Sequence, residues 1–404
     1  MADFHQNGFI TTLHNLHNRS VEDMERELKK ISKSWPMALV LPSLYSELEQ
    51  PALAYIVEEV AKLDYLEEII IGLDRADASQ FAHAKEFFSK LPQRTRILWQ
   101  DGPRLRKIAA TLEDMGLGPT ENGKGRNVWY CFGYFLASGR SRGVALHDCD
   151  IKNYDRGMVA RLLFPIMEPT FGFKFCKGYY YRASEGKLNG RVMRLLVSPL
   201  VHALRQMGAD HDFLDYIDAF RYPLAGEFSM YLDVVQTIRI PNDWGLEIGV
   251  LSEIFRNYSL SRICQVDIAD AYDHKHQPLS DDNPDTGLSK MSTDICRTFF
   301  RKLATSGQVF STEFFRTLRA TYYRTALDFI DHYQADAVLN GLTLDRHAEE
   351  KTVELFAQNL TRAGDMFLKR SPEPPFMPSW NRVLSAVPDV HDQIRDAVEA
   401  DNGQ

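Results

Sequence analysis

A chain of 404 residues, 44% hydrophobic and 25% charged, can bury one large core or two moderate ones, which excludes a disordered or fibrous protein. Its 47 basic and 55 acidic residues give a formal net charge of -8, so it has no general attraction for nucleic acid or an anionic membrane, and any phosphate must be held by local groups. Five scattered cysteines without a CxxC pair, a polar histidine-bearing start and no apolar run of about 18 residues speak against a disulfide framework, a zinc site and membrane insertion, and point to the cytoplasm.

The pattern from Ser20 to Ser34 predicts a helix, with Ser20 as N-cap and acidic residues in its first turns. Trp35-Pro36 ends it, and Met37 to Leu41 is a short apolar run of the kind that forms a strand buried on both faces. Helical spacing from Leu48 to Leu63 leads to a second apolar strand, Glu68 to Asp74, which ends in an acid. A helix over Ala76 to Lys90, a strand at Thr95 to Trp99 and a helix over Arg104 to Met115 continue the alternation. Gly116 to Gly125 reads as a loop, Asn127 to Ser138 as a helix, and Arg142 to His147 as a strand that runs into Asp148-Cys149-Asp150. Strands alternating with helices predict an α/β fold with a mostly parallel sheet, and such sheets bind ligands beyond the carboxyl ends of their strands.

Beyond this, Gly172 to Arg182 is an alternating aromatic strand, and Asn189-Gly190-Arg191 precedes a helix through Met207. Leu224 to Glu227 and Trp244 to Gly249 are glycine-containing segments, the second opening a helix to about Phe255, and Ile263 to Ile268 reads as another strand. After Gln277 the periodicity is helical, interrupted by a polar loop near Ser280 to Thr286 and by the Pro-rich stretch Ser371 to Pro378.

Asp148-Cys149-Asp150 carries the strongest chemical signal. Two carboxylates at a strand end can divide one diphosphate site between them, one binding sugar hydroxyls and the other a Mg2+ or Mn2+ ion that phosphate and water complete. The bland reading is a solvated turn. Gly123-Lys124-Gly125 places a lysine in a glycine loop before a helix, where backbone approaches a ligand and the cation reaches phosphate, although such a triplet also serves as a flexible surface loop. Alternate positions share a face in His274-Lys275-His276, so one imidazole can reach a metal; an exposed polar loop is the competing reading. Arg191 after Gly190 suits a carboxylate or phosphate, or is a charge at a helix start. Glu247 in an apolar segment either caps local backbone or binds hydroxyls in a cavity. There is no Gly-x-Ser-x-Gly elbow and no His-Glu-x-x-His pair, which removes the common hydrolase and metalloprotease readings.

In order along the chain these motifs resemble the glucosyl-3-phosphoglycerate synthases, retaining glycosyltransferases of the GT-A type. The resemblance rests on Pro42-Ser43-Leu44 with Glu47, Gly123-Lys124-Gly125, Asp148-Cys149-Asp150, Gly190-Arg191-Val192 with Ser198-Pro199-Leu200, Pro223 to Glu227, Gly245 to Gly249, and Gln265-Val266 with His274 and Pro278-Leu279. It implies a GT-A nucleotide-diphospho-sugar transferase fold (Rossmann-like), with an N-terminal helical extension over 1–35, a nucleotide-sugar half over 36–155, an acceptor half over 156–280 and a helical C-terminal region over 281–404. It also implies a UDP-glucose donor held by Pro42, Ser43, Glu47 and Lys124, with Asp148 near the ribose. Asp150 and His274 would bind Mg2+ or Mn2+; Leu224, Glu247 and Asp150 would line the reacting sugar; Gly190, Arg191, Met193 and His276 would surround the acceptor, 3-phosphoglycerate. Similar enzymes are homodimers.

Met193 and His276 depart from the family pattern, which carries a small hydroxyl residue and an asparagine there; Arg194 and Lys275 are candidate replacements, or the departures mark another acceptor. The alternatives are a related transferase using GDP-mannose, GDP-glucose or another small acceptor, a sugar nucleotidyltransferase, and an inactive scaffold. No glycine-rich pyrophosphorylase loop follows the first strand, and the metal-ligand residues are present in the sequence, which disfavours the last two.

Overall fold

The computed structural model of the chain describes residues 6–119, 121–273, 286–369 and 376–403. Its strands are β1 (Thr11–Leu13), β2 (Met37–Leu44), β3 (Leu66–Asp74), β4 (Arg94–Trp99), β5 (Gly143–Leu146), β6 (Phe175–Tyr180), the hairpin β7 (Ala183–Ser184) and β8 (Lys187–Leu188), β9 (Phe228–Tyr231) and β10 (Ile263–Ala269). The helices of the first half are α1 (Val21–Ile31), α2 (Pro51–Val60), α3 (Ala78–Phe88), α4 (Pro103–Asp114), α5 (Lys124–Ser138) and α6 (Arg156–Met167). Then come α7 (Ser198–Gln206), α8 (His211–Ala219), α9 (Leu232–Thr237) and α10 (Leu246–Asn257). The C-terminal region is α11 (Gly287–Thr305), α12 (Thr312–Leu339), α13 (Arg346–Lys369), α14 (Trp380–Ala386) and α15 (Val390–Asn402). No helix among the described residues is long and apolar enough to cross a membrane.

One sheet carries the order β1-β10-β6-β9-β5-β2-β3-β4. Every neighbouring pair in it is parallel except those made by β9, which runs antiparallel to both β5 and β6. The central strands are buried on both sides because most of their residues are apolar, on both faces, with a few buried polar exceptions such as Glu68 and Lys177. In β2, Ala38 and Val40 face one core with α4, α5 and the C-terminal helices, while Met37, Leu39 and Leu41 face another with α1, α2, α3 and α6. The reversed β9 has a consequence for the site: its lead-in, Leu224 to Glu227, arrives at the edge where the parallel strands end.

Three expectations change. Residues 1–35 are not only a helical extension, since Thr11–Leu13 pairs with β10 and Thr12 accepts a hydrogen bond from Gln265 Nε2 at 2.9 Å. The expected loop to Gly125 stops two residues earlier, because α5 begins at Lys124. Helices α6 and α8 and strand β9 fill stretches to which the sequence reading assigned no element.

Candidate active site

Strand β5 is four buried residues long, and His147 prolongs its pairing by donating its backbone N–H to the Val40 carbonyl at 3.1 Å. The His147 ring is fully buried against Tyr154, and burial pushes its pKa down to about 3, so it is neutral. Asp148 then leaves the sheet half-buried, with Asp150 two residues on, also half-buried.

Lys124 meets Asp148 here. Its Nζ lies 2.7 Å from Asp148 Oδ1 and 3.1 Å from Glu247 Oε1. Burial works against the ammonium charge, and the two carboxylates more than offset that, so its pKa stands above the ordinary lysine value. The flanking glycines act differently from the expectation that they let backbone approach a ligand. A Cβ on Gly125 would stand 2.0 Å from the Pro241 carbonyl oxygen, and one on Gly123 2.6 Å from that of Asn242. They let one backbone approach another, and so hold the start of α5 against the segment that leads into α10.

That segment presents Glu247. Asp243 accepts a hydrogen bond from the Gly245 N–H at 2.9 Å, and α10 starts at Leu246. Of the two readings for Glu247, the geometry selects the cavity: its carboxylate pairs with Lys124 and lines the open space beside it.

The lead-in to β9 closes the other side. A Cβ on Gly226 would fall 2.3 Å from Asp148 Oδ2, so only glycine allows that approach. Lys177, fully buried on β6, donates to the Ala225 carbonyl at 2.6 Å, and burial lowers its pKa to about 8. Glu227, also fully buried, accepts from Tyr180 Oη at 2.8 Å and from Tyr272 Oη at 2.7 Å, and those two rings stack with centroids 3.7 Å apart. Burial, reinforced by the charge of Asp148, raises the Glu227 pKa.

These groups surround a cavity of about 350 Å³. Lys124, Asp148, Gly190, Arg191, Leu224 and Glu247 all line it, so the fold gathers six of the residues singled out in the sequence from five separate segments. Pro42 and Ser43 lie at the end of β2 and Glu47 in the turn after it. They are not among the cavity's lining residues; Ser43 sits within hydrogen-bonding reach of the Cys149 thiol. His274, Lys275 and His276 fall outside the described residues. The segment just before them is fixed to the chain after Asp150: the Lys152 N–H donates to the Asp273 carbonyl at 2.8 Å, and the Asp273 N–H to Asn153 Oδ1 at 2.9 Å.

Met193 and Arg194 are corrected. Met193 packs against the hydrophobic core rather than lining the cavity. Arg194 is buried and spans both oxygens of Glu349, at 2.6 and 3.1 Å, while its Nε donates to the Asn189 carbonyl, so its guanidinium is committed to the chain itself and is not among the cavity's lining residues. Sequence reasoning passed over Tyr180, Arg182, Lys187, Tyr222, Trp244 and Tyr272, which also line the cavity. The signal for the first of these was the unusual run Lys177 to Arg182, where cations and tyrosines interrupt an otherwise buried strand.

A divalent cation fits the chemistry of the donor set. Asp148 and Asp150 are hard oxygen ligands at one strand end, and Mg2+ usually takes only one or two protein carboxylates beside phosphate and water. Among the described residues no three His, Cys, Asp or Glu side chains group as a metal site.

No protein-family model matches the chain. It is 45% identical over 402 residues to the glucosyl-3-phosphoglycerate synthase of Persephonella marina, covering 100% of this chain and 99% of that protein. To the enzyme of the same name from Methanococcoides burtonii it is 40% identical over 403 residues, covering 99% and 98%. Solved structures that share its fold include the following two. Glucosyl-3-phosphoglycerate synthase from Mycobacterium tuberculosis in complex with Mg2+ and uridine diphosphate superposes with a TM-score of 0.53 at 22% identity, over 73% of this chain and 87% of that one. Mannosyl-3-phosphoglycerate synthase from Rubrobacter xylanophilus superposes with a TM-score of 0.56 at 21% identity, over 74% and 83%.

Proposed function

Since the chain belongs to the glucosyl-3-phosphoglycerate synthases, we propose that its cavity transfers glucose from UDP-glucose to 3-phosphoglycerate with retention of configuration, in the presence of Mg2+ or Mn2+. The observation that carries this reading is the Lys124 ammonium held between Asp148 and Glu247 at the carboxyl edge of the sheet, facing the cavity that Arg191 also lines. The M. tuberculosis enzyme has been solved with Mg2+ and UDP, and with Mn2+, UDP-glucose and phosphoglyceric acid, which supports the same substrates here.

In this reading Asp150 and His274 would hold the metal, which when bound would supply Lewis-acid stabilisation to the diphosphate. Pro42, Ser43 and Glu47 hold the nucleotide and Asp148 its ribose. Lys124 sets a fixed positive charge where negative charge grows as the bond from the anomeric carbon to the diphosphate oxygen breaks. Glu247 accepts hydrogen bonds from the glucose hydroxyls, and Leu224 packs beside the ring. Arg191 grips one anionic group of the acceptor, which has a single free hydroxyl. That oxygen bonds to the anomeric carbon on the face the diphosphate leaves, and its proton passes to the departing diphosphate. Positioning and electrostatics do the catalytic work, with no protein nucleophile. A cytoplasmic homodimer, with donor and acceptor halves meeting near residue 155, belongs to the same proposal and rests on the resemblance.

The test is to incubate the purified chain with Mg2+ and UDP-glucose, GDP-glucose or GDP-mannose, with and without 3-phosphoglycerate. Acceptor-dependent UDP release and a phosphorylated glucoside by mass are expected. Asp150→Ala should lower turnover at least ~100-fold, the loss of several kcal/mol of charge stabilisation, with an unchanged circular dichroism spectrum. Wild-type turnover in that variant would sink the metal assignment.

A further inference from the structure

The cavity holds more positive charge than Arg191 alone. Arg182 follows β6 directly, and its Nη1 donates to Tyr222 Oη at 3.3 Å while its buried Nε has no partner. Lys187 comes from the hairpin β7–β8, whose turn at Glu185 and Gly186 has positive φ at both residues, 51° and 69°. The base of the hairpin is closed by the Asn189 N–H donating to the Arg182 carbonyl at 2.8 Å and by Asn189 Nδ2 donating to Ser184 Oγ at 2.7 Å. Its tip is fixed to the α12–α13 connection, where Gly186 O accepts from the Thr343 N–H at 2.8 Å and from Thr343 Oγ1 at 3.1 Å.

Among the described residues, Arg182, Lys187 and Arg191 have no carboxylate within ion-pair distance, and all three line this cavity. Neighbouring cations differ: Lys124 is paired twice and Arg194 is paired with Glu349. Glu185 also borders the cavity, exposed at the hairpin tip. A half-buried guanidinium without a counter-charge is an unfinished ion pair, and its planar donors suit phosphate or carboxylate oxygens. The acceptor named above carries a carboxylate of about -1 and a phosphate of about -1.5 to -2 at neutral pH, two anionic groups for which one arginine is too little.

We propose that Arg182 and Lys187, beside Arg191, form an anion-binding wall of this cavity, so that the two anionic groups of the acceptor meet three cations rather than one. This rests on the proposed function and deepens it. The hairpin backbone is bonded at its base and at its contact with Thr343, which sets where Arg182 and Lys187 leave the chain.

The experiment compares Arg182→Gln, Arg182→Lys and Lys187→Gln with the wild type in steady-state transfer, measuring KM for 3-phosphoglycerate and for UDP-glucose separately. Arg182→Gln should raise the acceptor KM about 30-fold and leave the UDP-glucose KM within about twofold; Arg182→Lys should recover most of the loss, and Lys187→Gln on the exposed rim should raise the acceptor KM ~5-fold. An acceptor KM within twofold of wild type in both glutamine variants, or equal rises for both substrates, would overturn the proposal. Lys187→Gln removes only an exposed side chain, so it reports even where Arg182→Gln folds poorly. A wild-type chain that releases no UDP in response to 3-phosphoglycerate would instead sink the proposed function itself.

Discussion

Glu68 stands in β3 at 1% exposure, with Oε1 accepting from the Ser138 hydroxyl at 2.8 Å and Oε2 unpartnered. Burial raises its pKa from 4.5 to about 7. Between those values the folded chain keeps a proton that the unfolded chain has released, so the contribution of Glu68 to stability is complete below pH 4.5 and is lost as pH rises through 7. The full penalty above pH 7 is about 3 kcal/mol, from ~1.4 kcal/mol per pKa unit. Glu68→Gln should therefore be near neutral at pH 4.5 and stabilising by roughly 1–3 kcal/mol at pH 8, read from urea midpoints at both values. Equal differences at the two pH values would refute it. Glu68 shows what single residues in a sequence reveal. Lys124, Asp148 and Glu247 stood out by type and place: a lysine in a glycine loop before a helix, an acid at a strand end and an acid in an apolar segment. Arg182 and Lys177 were not, because their roles depend on Tyr222 and Ala225, more than 35 residues away in the chain. Met193 packs on the core and Arg194 pairs with Glu349, placements that depend on residues distant in the chain.

At the scale of elements, Arg191 leads into a short π-helical run, Val192–Val197, that joins α7. Such runs leave backbone groups poorly paired and are rare without support. The C-terminal helices supply that support: Tyr322 Oη on α12 donates to the Leu195 carbonyl at 2.6 Å, and Glu349 on α13 holds Arg194, whose guanidinium also lies 5.1 Å from the centre of the Tyr333 ring. Glu349→Ala would leave a buried arginine without its counter-charge. It should destabilise the chain by about 3–5 kcal/mol and raise the acceptor KM, because Arg191 sits three residues before Arg194. Chemical denaturation and steady-state kinetics would check both; wild-type values in either measurement would separate the clamp from the site. The long helices were legible in their periodicity. The four residues of β9 and three of β1 were not, since strands this short are stabilised by their neighbours, and β9 is paired on both sides.

For the whole molecule, alternation of apolar runs and helices predicted a mostly parallel α/β sheet, and the sheet is of that class. The spatial order of its strands was not legible, because pairing across hundreds of residues leaves no local pattern. The same holds for the sheet's outer edge. Strand β4 is covered by α15, where the Asn402 side chain acts as a strand neighbour, accepting from the Ile97 N–H at 3.0 Å and donating to the Ile97 carbonyl at 2.9 Å. Glu399 on the same helix pairs with Arg94 and Arg96 and accepts from Tyr134 Oη at 2.7 Å. Removal of residues 390–404 would uncover an edge strand and the apolar surface against which Ile394 and Val398 pack, with the loss of two buried side chains worth roughly 1.5–3 kcal/mol each. The truncated chain should melt several degrees lower and aggregate, by differential scanning fluorimetry and light scattering. An unchanged melting temperature would show that α15 is not needed to hold the edge.

Ile97 and Asn402 are separated by 305 positions in the chain. At a synthesis rate of about 5–20 residues per second, strand β4 leaves the ribosome roughly 15–60 seconds before the helix that covers it. Until α15 is made, 305 positions after β4, the growing chain carries a sheet edge without this cover, so the order of synthesis leaves that edge open to pairing with a neighbouring chain.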